Sequence, residues 1–597
     1  MTLPLSSVSE RLNALRVCMK HHDFSAFIVT NYDPHHSEYS AEHWFSRQWI
    51  TGFTGSSGDA VITQNGGGLW TDGRYYIQAT EQLAGTGIDL FKARLTDTPT
   101  IPQWLEQTLP NGSKIGVDGR TISHEFLTQL TSACSKKQIE VVLIHDLIGE
   151  VWSDRPSRPQ QPVFEHATQY AGESVSSKLS RIRQSMREDN IQHHLIATLD
   201  DIMWTLNIRG GDSPYCPVSE SYLLISDSLV TLFIAQAKLP ASIKQNLLSI
   251  GIDSRPYEEI EKALSNLQDN ESLRYCPTHT DSLLISALNT LIDTVEGPTY
   301  AALMKSIKNP IELENMEHTL CLDGSAVVKF SHWLTENVDT NSVCELSAEQ
   351  QLMSYRKELP GYISESFHTI AGYAEHGAKM HYAATEESNK QVESNNFFLV
   401  DSGAHYPGGT TDITRTFHFG KISESQSRDY TLVLKSVIRL TQARFLKGTR
   451  GCNLDILARG VLWQHGIDYK CGTGHGVGMC LNVHEGPQSF SQALIDQPLE
   501  PCMVITNEPG IYRDGQYGIR IENIMKVVEL EETDFGQFYG FETITLAPIQ
   551  TTAIITSMLE LGEKEWLNNY HKTVFEKLSP HLDDEHIQWL AQATLAI

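Results

Sequence analysis

Two stretches of the chain, 167 residues apart, share one order of apolar and basic residues and constrain the fold more than any other feature. Arg11, Leu12, Leu15, Arg16 and Met19 are matched by Lys178, Leu179, Ile182, Arg183 and Met186. In both copies the spacing is helical and leads into a short apolar run, over 24–29 and over 191–196. A helix and a strand repeated at the length of a domain predict two related α/β domains in tandem.

Two breaks in this pattern predict the domain boundaries. The proline-rich stretch 154–162 disfavours helix and sheet, which predicts a linker before the second copy. Pro310 precedes a helical pattern from Ile311 to about Thr335 and fits its first turn. We therefore expect domains over 1–163, 164–303 and 304–597, the last ending in a helical extension from about 545.

The C-terminal extension shows a second helical pattern. Trp566, Leu567, Tyr570, Val574 and Leu578 recur at helical spacing. An apolar stripe of this kind predicts a helix that packs on the preceding domain.

Composition excludes several classes of protein. A net charge of -27 argues against a primary role in binding nucleic acid or an anionic membrane. The sequence has no uncharged apolar run long enough to span a bilayer, and its start lacks the pattern of a signal peptide. The ten cysteines show no paired spacing, which is typical of reduced thiols. We expect a cytoplasmic protein that does not contact membranes.

Acidic residues lie at the ends of predicted strands between residues 381 and 526. Asp401 ends an apolar run, and the alternating stretch 411–419 places Asp412 on one of its faces. A hairpin would bring these two aspartates together. Glu508 lies just past a predicted strand over 503–506.

A further acidic residue lies within an alternating stretch. Residues 517–527 predict one strand, on which Glu522 shares a face with Arg520 and Ile524. Four carboxylates in one interior cannot stay ionised without cations, because each buried charge costs several kcal/mol unless it is paired or coordinated. Two divalent ions would balance them. With one imidazole among oxygen ligands, we expect manganese, with zinc or cobalt as alternatives.

The imidazole candidates lie in two short segments, 472–478 and 483–487. The first is rich in glycine but lacks the lysine and hydroxyl residue of a phosphate-binding loop. Cys471 and His475 have no second pair with zinc-finger spacing, so a structural zinc site is not favoured.

Six segments together resemble the metallopeptidase domain shared by aminopeptidase P, prolidase and methionine aminopeptidase. They are DSGA at 401–404, TTDITRT at 410–416, GTGHGVG at 472–478, NVHEGP at 482–487, NEPG at 507–510 and GIRIEN at 518–523. The segments 52–62, 70–76 and 566–571 extend the resemblance to the long, three-domain, cytosolic form of aminopeptidase P. The resemblance implies two creatinase-like α/β domains followed by an α+β domain with the pita-bread fold.

The resemblance also implies the residues of a dinuclear site. Its metal ligands would be Asp401, Asp412, His475, Glu508 and Glu522. Asp412 and Glu522 would bridge the two ions. The implied activity is hydrolysis of the bond between an N-terminal residue and a penultimate proline, by a hydroxide that bridges the ions.

Further residues receive roles from the same resemblance. Glu508 would carry a proton to the leaving proline nitrogen, and His381 and His484 would bind substrate and stabilise the oxyanion. Arg520 and Tyr512 would form a supporting hydrogen-bond relay around Asp401. Many relatives carry histidine where this chain has Cys471, and a thiol cannot replace a protonated imidazole as a donor.

Two alternative functions stay open from the sequence. Prolidase uses the same ligands but cleaves only dipeptides, and the two additional N-terminal domains argue against it. Relatives without metal ligands bind histones or other proteins, whereas all five ligand positions are intact here. The resemblance also suggests a homodimer. The sequence does not identify the physiological peptide.

Overall fold

The computed structural model describes residues 7–340 and 342–597, which divide into two compact units. Unit 1 extends to His166 and includes Ser174–Ala301; unit 2 comprises Ala167–Glu173 and Ala302–Ile597. Among the described residues, no helix is both long enough and apolar enough to cross a bilayer. The division between the units does not separate the first two expected domains, so the boundary at residue 163 stays a prediction.

The first half of unit 1 is a six-stranded sheet flanked by helices. Its elements are α1 (Val8–His21), β1 (Ala26–Val29), α2 (Ser46–Thr51), β2 (Asp59–Thr63), β3 (Gly67–Thr71), α3 (Tyr76–Gln82), β4 (Asp89–Lys92), α4 (Ile101–Thr108), β5 (Lys114–Asp118), α5 (His124–Ser135) and β6 (Glu140–Ile144). The strand order is β4-β3-β2-β1-β5-β6. Helix α1 begins at a capping box formed by Ser7 and Glu10, and it buries Leu12, Leu15 and Met19.

The second half of unit 1 repeats this architecture. Its elements are β7 (Phe164–Glu165), α6 (Thr168–Ala171, which belongs to unit 2), α7 (Val175–Glu188), β8 (His193–Ile196), α8 (Leu199–Leu206), β9 (Ile208–Arg209), β10 (Ser221–Ser226), β11 (Val230–Ile234), α9 (Ala241–Ser249), β12 (Ile252–Arg255), α10 (Ile260–Ser265), β13 (Ser272–Tyr275), α11 (Ser282–Ser286) and β14 (Asp293–Glu296). The strand order is β12-β11-β10-β8-β13-β14, the counterpart of the first sheet.

The repeat in the sequence is therefore a repeat in structure. Helix α7 and strand β8 begin and end 167 residues after α1 and β1. In both sheets the strand that follows this helix lies third from the same edge. The prediction of two related α/β domains is confirmed.

Unit 2 combines small antiparallel sheets with long helices. Its remaining elements are α12 (Tyr300–Ser306, which begins in unit 1), α13 (Pro310–Asn337), α14 (Glu345–Lys357), β15 (Ser364–Glu365), β16 (Ile370–Tyr373), β17 (Phe397–Ser402), β18 (Ala404–Tyr406), β19 (Gly409–Thr410), β20 (Ile413–His418), α15 (Glu424–Thr441), β21 (Phe445–Leu446), α16 (Gly451–Trp463), β22 (Gly474–Gly476), β23 (Glu485–Phe490), β24 (Val504–Asn507), β25 (Gly510–Arg513), β26 (Tyr517–Arg520), β27 (Asn523–Thr533), β28 (Gly536–Thr543), α17 (Leu561–Leu578) and α18 (Asp584–Ala593). The sheets have the orders β15-β18-β19, β16-β17-β20, β21-β28-β27-β24-β22-β23 and β25-β26.

Two predicted helices of unit 2 are confirmed. Helix α13 begins at Pro310, where the Asn309 side chain accepts hydrogen bonds from the backbone of Ile311 and Glu312. Helix α17 buries Leu567, Tyr570, Val574 and Leu578 in the main apolar cluster of the unit. This cluster also contains residues of α15, so the C-terminal extension packs on the preceding part of unit 2.

One strand prediction was wrong. Residues 517–527 do not form a single strand, because β26 ends at Arg520 and β27 begins at Asn523. Strand β26 pairs only with β25, whereas β27 pairs with β24 and β28 in the large sheet. Period-two alternation fits either arrangement, because it does not report which partner a strand pairs with. Glu522 therefore lies in the short link between two sheets.

The start of another predicted strand also shifts. The alternating stretch over 411–419 becomes β20 only from Ile413, and Asp412 lies in the link that follows β19. In the ladder of β17 with β20, Asp401 is opposite Thr414. The two aspartates are thus brought to the same end of this ladder, as the hairpin argument required, although Asp412 lies outside it.

Candidate metal centre

Asp401 occupies the penultimate position of β17 and is buried. Its Oδ2 accepts a hydrogen bond of 3.1 Å from Arg520 Nε, whereas Oδ1 is buried without a hydrogen-bond partner. Burial raises the pKa of Asp401 to about 6, against the lowering effect of Arg520, and the charges of Asp412 and Glu508 add to the rise. Because Asp401 Oδ1 is buried without a hydrogen-bond partner, a cation at this oxygen would stabilise the ionised carboxylate.

His475 lies at the centre of β22 and faces two of the acidic residues. Its Nε2 is 3.4 Å from Asp412 Oδ2 and 3.4 Å from Glu508 Oε1. Its Nδ1 lies 2.9 Å from the carbonyl of Gly476, which suits donation by Nδ1 and leaves Nε2 facing the two acidic residues. Burial opposes a charge on the ring, but Asp412 and Glu508 raise the pKa of His475 to about 9.

Glu522 completes the group from the link between β26 and β27. Thr414 Oγ1 donates to its Oε2 at 2.8 Å, and Oε1 is buried without a hydrogen-bond partner. Burial raises the pKa of Glu522 well above its ordinary value, and the charges of Asp412 and Asp401 contribute further. Ligand atoms of Asp412, His475 and Glu522 all lie within 4.8 Å of one another.

The residues present fit a pair of divalent cations. Four carboxylates and one imidazole converge, and Arg520 is the cation that pairs with Asp401. We call Asp401, Asp412, Glu508 and Glu522 the acidic cluster. The neighbouring negative charges raise the pKa of Asp401 and of Glu522, so the cationic side chains nearby do not balance the charge of the cluster. The buried oxygens of Asp401 and Glu522 that lack hydrogen bonds are suited to metal coordination.

The structure brings Arg520 and Tyr512 to Asp401. Arg520 donates to Asp401 through Nε and Nη2, and its Nη1 donates to the Tyr512 hydroxyl at 2.6 Å. Arg520 Nε also lies 3.0 Å from Thr414 Oγ1, which in turn donates to Glu522. Thr414 is not among the site residues predicted from the sequence. Its contact with Glu522 depends on the pairing of distant strands.

His484 is close to His475. The rings of His475 and His484 have centroids 4.3 Å apart and are nearly perpendicular. His484 directly precedes β23, where the fully buried Glu485 side chain forms an ion pair with Lys308. His381 follows Met380, whose carbonyl accepts a hydrogen bond from Arg520. His484 therefore lies beside His475, and the residue that precedes His381 contacts Arg520, which pairs with Asp401.

Family models match the chain in four consecutive parts. The Creatinase/Prolidase N-terminal domain matches residues 11–151, and a second model of the same description matches residues 154–312. Metallopeptidase family M24 matches residues 314–529, and the C-terminal region of peptidase M24 matches residues 537–597. Asp401, Asp412, Glu508 and Glu522 all lie in the third part.

Whole-chain relatives carry consistent names. Aminopeptidase P2 of Arabidopsis thaliana is 37% identical over 98% of this chain and 88% of its own length. A probable Xaa-Pro aminopeptidase P of Coprinopsis cinerea is 37% identical over 99% of this chain and 98% of its own length.

Solved structures show the same architecture. The X-prolyl aminopeptidase of Caenorhabditis elegans, described as a cytosolic enzyme with a di-nuclear active site, superposes with a TM-score of 0.96 at 32% identity. It covers 99% of this chain and 100% of its own. A prolidase of Pyrococcus horikoshii, at 25% identity and a TM-score of 0.50, covers 62% of this chain and 99% of its own.

Proposed function

The chain belongs to metallopeptidase family M24, and on that premise we propose that it is an Xaa-Pro aminopeptidase, which releases the N-terminal residue that precedes a proline. The observation that carries this proposal is the convergence of buried acidic residues and His475 in one under-compensated cluster of unit 2. Such a cluster suits a hydrolase that uses divalent ions.

We assign the metal ligands to the residues of this cluster. They are Asp401, Asp412, His475, Glu508 and Glu522. Asp412 and Glu522 are the proposed bridging ligands. When bound, the ions would lower the pKa of a water molecule and polarise the scissile carbonyl. Manganese is the proposed metal because the ligand set is rich in oxygen, and zinc and cobalt are the alternatives.

The protein's own groups supply the proton transfers and the substrate contacts. Glu508 takes a proton from the attacking water and delivers it to the proline nitrogen as the bond to the preceding carbonyl breaks. His484 and His381 orient the peptide and donate to the oxyanion. Arg520 holds Asp401 through Nε and Nη2, and Tyr512 holds the other end of the guanidinium.

Prolidase activity is not favoured as the alternative. The C. elegans aminopeptidase matches both halves of the present chain, whereas the P. horikoshii prolidase covers 62% of it. A tripeptide with proline in second position separates the two activities, because a strict dipeptidase leaves it intact. A purely binding role is disfavoured because all proposed ligands are present.

The setting of the enzyme is part of the proposal. We propose that it acts in the cytoplasm, as the name of the C. elegans relative indicates for that enzyme. We also propose domains over residues 1–163, 164–303 and 304–597, and a homodimer that binds proline-containing peptides.

The experiment compares metal loading and cleavage in matched variants. The wild type, Asp412→Asn and Asp429→Asn are incubated with manganese and an Xaa-Pro-Pro peptide, and products and bound metal are measured by mass spectrometry. Asp429 is also a buried aspartate of unit 2, but Arg513 and Tyr517 already satisfy it. We expect release of the first residue by the wild type and Asp429→Asn, and loss of metal and activity in Asp412→Asn.

Two results would overturn the assignment. One is a metal-loaded wild type that leaves the tripeptide intact. The other is a metal-free Asp412→Asn variant that cleaves as fast as the wild type.

A further inference from the structure

We propose that Glu345 is a positioning residue that holds His381 in the catalytic centre, an inference that rests on the function proposed above. Glu345 is the first residue of α14 and is completely buried. We infer that it fixes the segment 373–390, which contains His381, through hydrogen bonds that no sequence motif reveals.

Both oxygens of Glu345 accept hydrogen bonds from this segment. Oε1 lies 2.8 Å from the backbone nitrogen of Tyr373 and 2.8 Å from Nδ1 of His376. Oε2 accepts from the backbone nitrogen of Lys390 at 2.9 Å and from the Tyr382 hydroxyl at 3.0 Å. One carboxylate thus ties together the beginning, the middle and the end of the segment.

The segment is also held from the opposite side. Met380, the residue before His381, accepts a hydrogen bond of 3.4 Å from Arg520 Nη2. A Cβ atom on Gly518 of β26 would lie 1.7 Å from the carbonyl oxygen of Gly377, so backbone packs directly on backbone here. The residues that flank His381, Met380 and Tyr382, are therefore fixed by Arg520 and Glu345 respectively.

Only a carboxylate suits the position of Glu345. The four groups that face its two oxygens are N–H or O–H donors, and an ionised carboxylate accepts at both oxygens. A glutamine of the same volume would accept at one oxygen and present an NH₂ group to donors at the other. Removing acceptors from buried donors leaves those donors unpaired, so the segment would have to move.

Such a movement would reach the reaction through His381. A donor to the oxyanion is effective only within hydrogen-bonding distance, and a misplacement of about 1 Å can cost about 100-fold in rate. Glu345 contacts neither the acidic cluster nor His381 in the bonds described above, and it acts on His381 through Tyr382 and His376.

The test is a double-mutant cycle with a structural readout. Rates are measured on the Xaa-Pro-Pro peptide for wild type, Glu345→Gln, His381→Ala and the double variant, with bound manganese measured in each. We expect Glu345→Gln to lower kcat/KM about 10- to 100-fold with unchanged metal content, and to cost less than about threefold when His381 is already alanine.

A matched control separates positioning from general destabilisation. Glu563 of α17 is also largely buried and pairs with Lys435 of α15, away from the acidic cluster. Glu563→Gln should lower the melting temperature but leave kcat/KM within about twofold. Hydrogen exchange of residues 373–390 should accelerate in Glu345→Gln and not in Glu563→Gln.

The outcomes distinguish this inference from the proposed function. If the wild type cleaves the peptide and Glu345→Gln costs the same factor with and without His381, Glu345 does not act through this histidine and the inference is wrong. An unchanged exchange rate in residues 373–390 would also overturn it. If the metal-loaded wild type does not cleave, the proposed function fails first, and the catalytic role of Glu345 fails with it.

Discussion

Buried carboxylates in the two units are neutralised in different ways. In unit 1, Asp212 Oδ2 lies 2.6 Å from Lys238 Nζ, and Glu220 Oε2 lies 2.7 Å from Arg158 Nη2. Each acid therefore has its own cation. In unit 2, the acidic cluster has Arg520 at Asp401 and His475 at Asp412 and Glu508. Arg415 donates to the backbone carbonyl of Glu522, but the described hydrogen bonds and ion pairs of the Glu522 carboxylate include no cationic side chain.

The difference shows which observation identifies a metal centre. Asp212 Oδ1 lacks a hydrogen bond just as Asp401 Oδ1 does. An unpaired oxygen is thus common to both regions and does not by itself indicate a metal. The balance of charge separates them, because buried like charges must be offset by protons or cations.

Unit 1 also contains a buried carboxylate whose described hydrogen bonds come from neutral donors. Asp281 is buried at the start of α11, where it caps the backbone of Leu284 and accepts from the Tyr222 hydroxyl. Burial raises the pKa of Asp281 to about 7, although these two hydrogen bonds lower it. The charge of a buried carboxylate can thus be offset by an ion pair, by a proton or by a metal ion.

The largest expected effect comes from removing the metal. Treatment with a chelator should lower kcat/KM by more than about 1000-fold, because the nucleophilic water loses its activation, and manganese should restore it. Hydrogen exchange should rise in residues 401–412 and 508–522 but not in residues 212–238, where the charges are paired internally. A rise in both regions would show that the comparison between the units is wrong.

Neutralising one acid in each unit should change stability in opposite directions. In the chelated protein at pH 8, Glu522→Gln should increase the free energy of unfolding, because it removes the burial and like-charge cost that raises the pKa of Glu522. Asp212→Asn should decrease it by about 3 kcal/mol, because Lys238 loses its closest buried partner. Urea denaturation of both variants measures the two signs.

A shared sign would contradict the comparison. If both variants destabilised the chelated protein, the negative charge of the acidic cluster of unit 2 would already be balanced by neighbouring side chains. The charge argument for the metals would then be lost.

The raised pKa of Asp281 predicts a pH dependence in unit 1. The folded pKa of about 7 lies above the ordinary value of about 3.9, so the folded state binds more protons between these values. Stability should therefore rise as the pH falls from about 7 to about 4, with a slope of up to about 1.4 kcal/mol per pH unit from this group. Asp281→Asn should remove this contribution, and the exposed Asp293→Asn should keep it.

The measurement is hydrogen exchange of residues 272–286 across this pH range, corrected for the intrinsic exchange rate. If Asp281→Asn and wild type responded identically, Asp281 would be ionised in the folded state. Protonation would then not be the way in which the charge of Asp281 is offset.

The smallest expected effect concerns Cys471, which is not one of the charged residues compared above. Cys471 packs at the edge of the main apolar cluster, as Tyr512 does. Because a thiol is a weak donor, Cys471→Ser should change kcat/KM by less than about threefold. Cys471→His should alter the pH profile instead, because it introduces an imidazole that titrates near neutral pH. A tenfold loss in Cys471→Ser, seen in steady-state kinetics, would assign the thiol a direct part in the reaction.

Local patterns in the sequence determined much of this protein. The helix–strand repeat at 167 residues, the start of α13 at Pro310 and the apolar stripe of α17 all depend on neighbouring residues, and all three appear in the structure. The identity of the acidic residues and of His475 was also available from the sequence, because the motifs are short and contiguous.

Tertiary structure alone decided how these residues meet. Alternation over 517–527 did not reveal that the chain leaves one sheet at Arg520 and enters another at Asn523, because a period of two is the same in both. Thr414 reaches Glu522, and Glu345 reaches Tyr382, only through the pairing and packing of distant segments. The sequence indicated which carboxylates converge in unit 2, because they lie in short contiguous motifs. Long-range packing decided which buried carboxylates have a cationic side chain beside them and which do not.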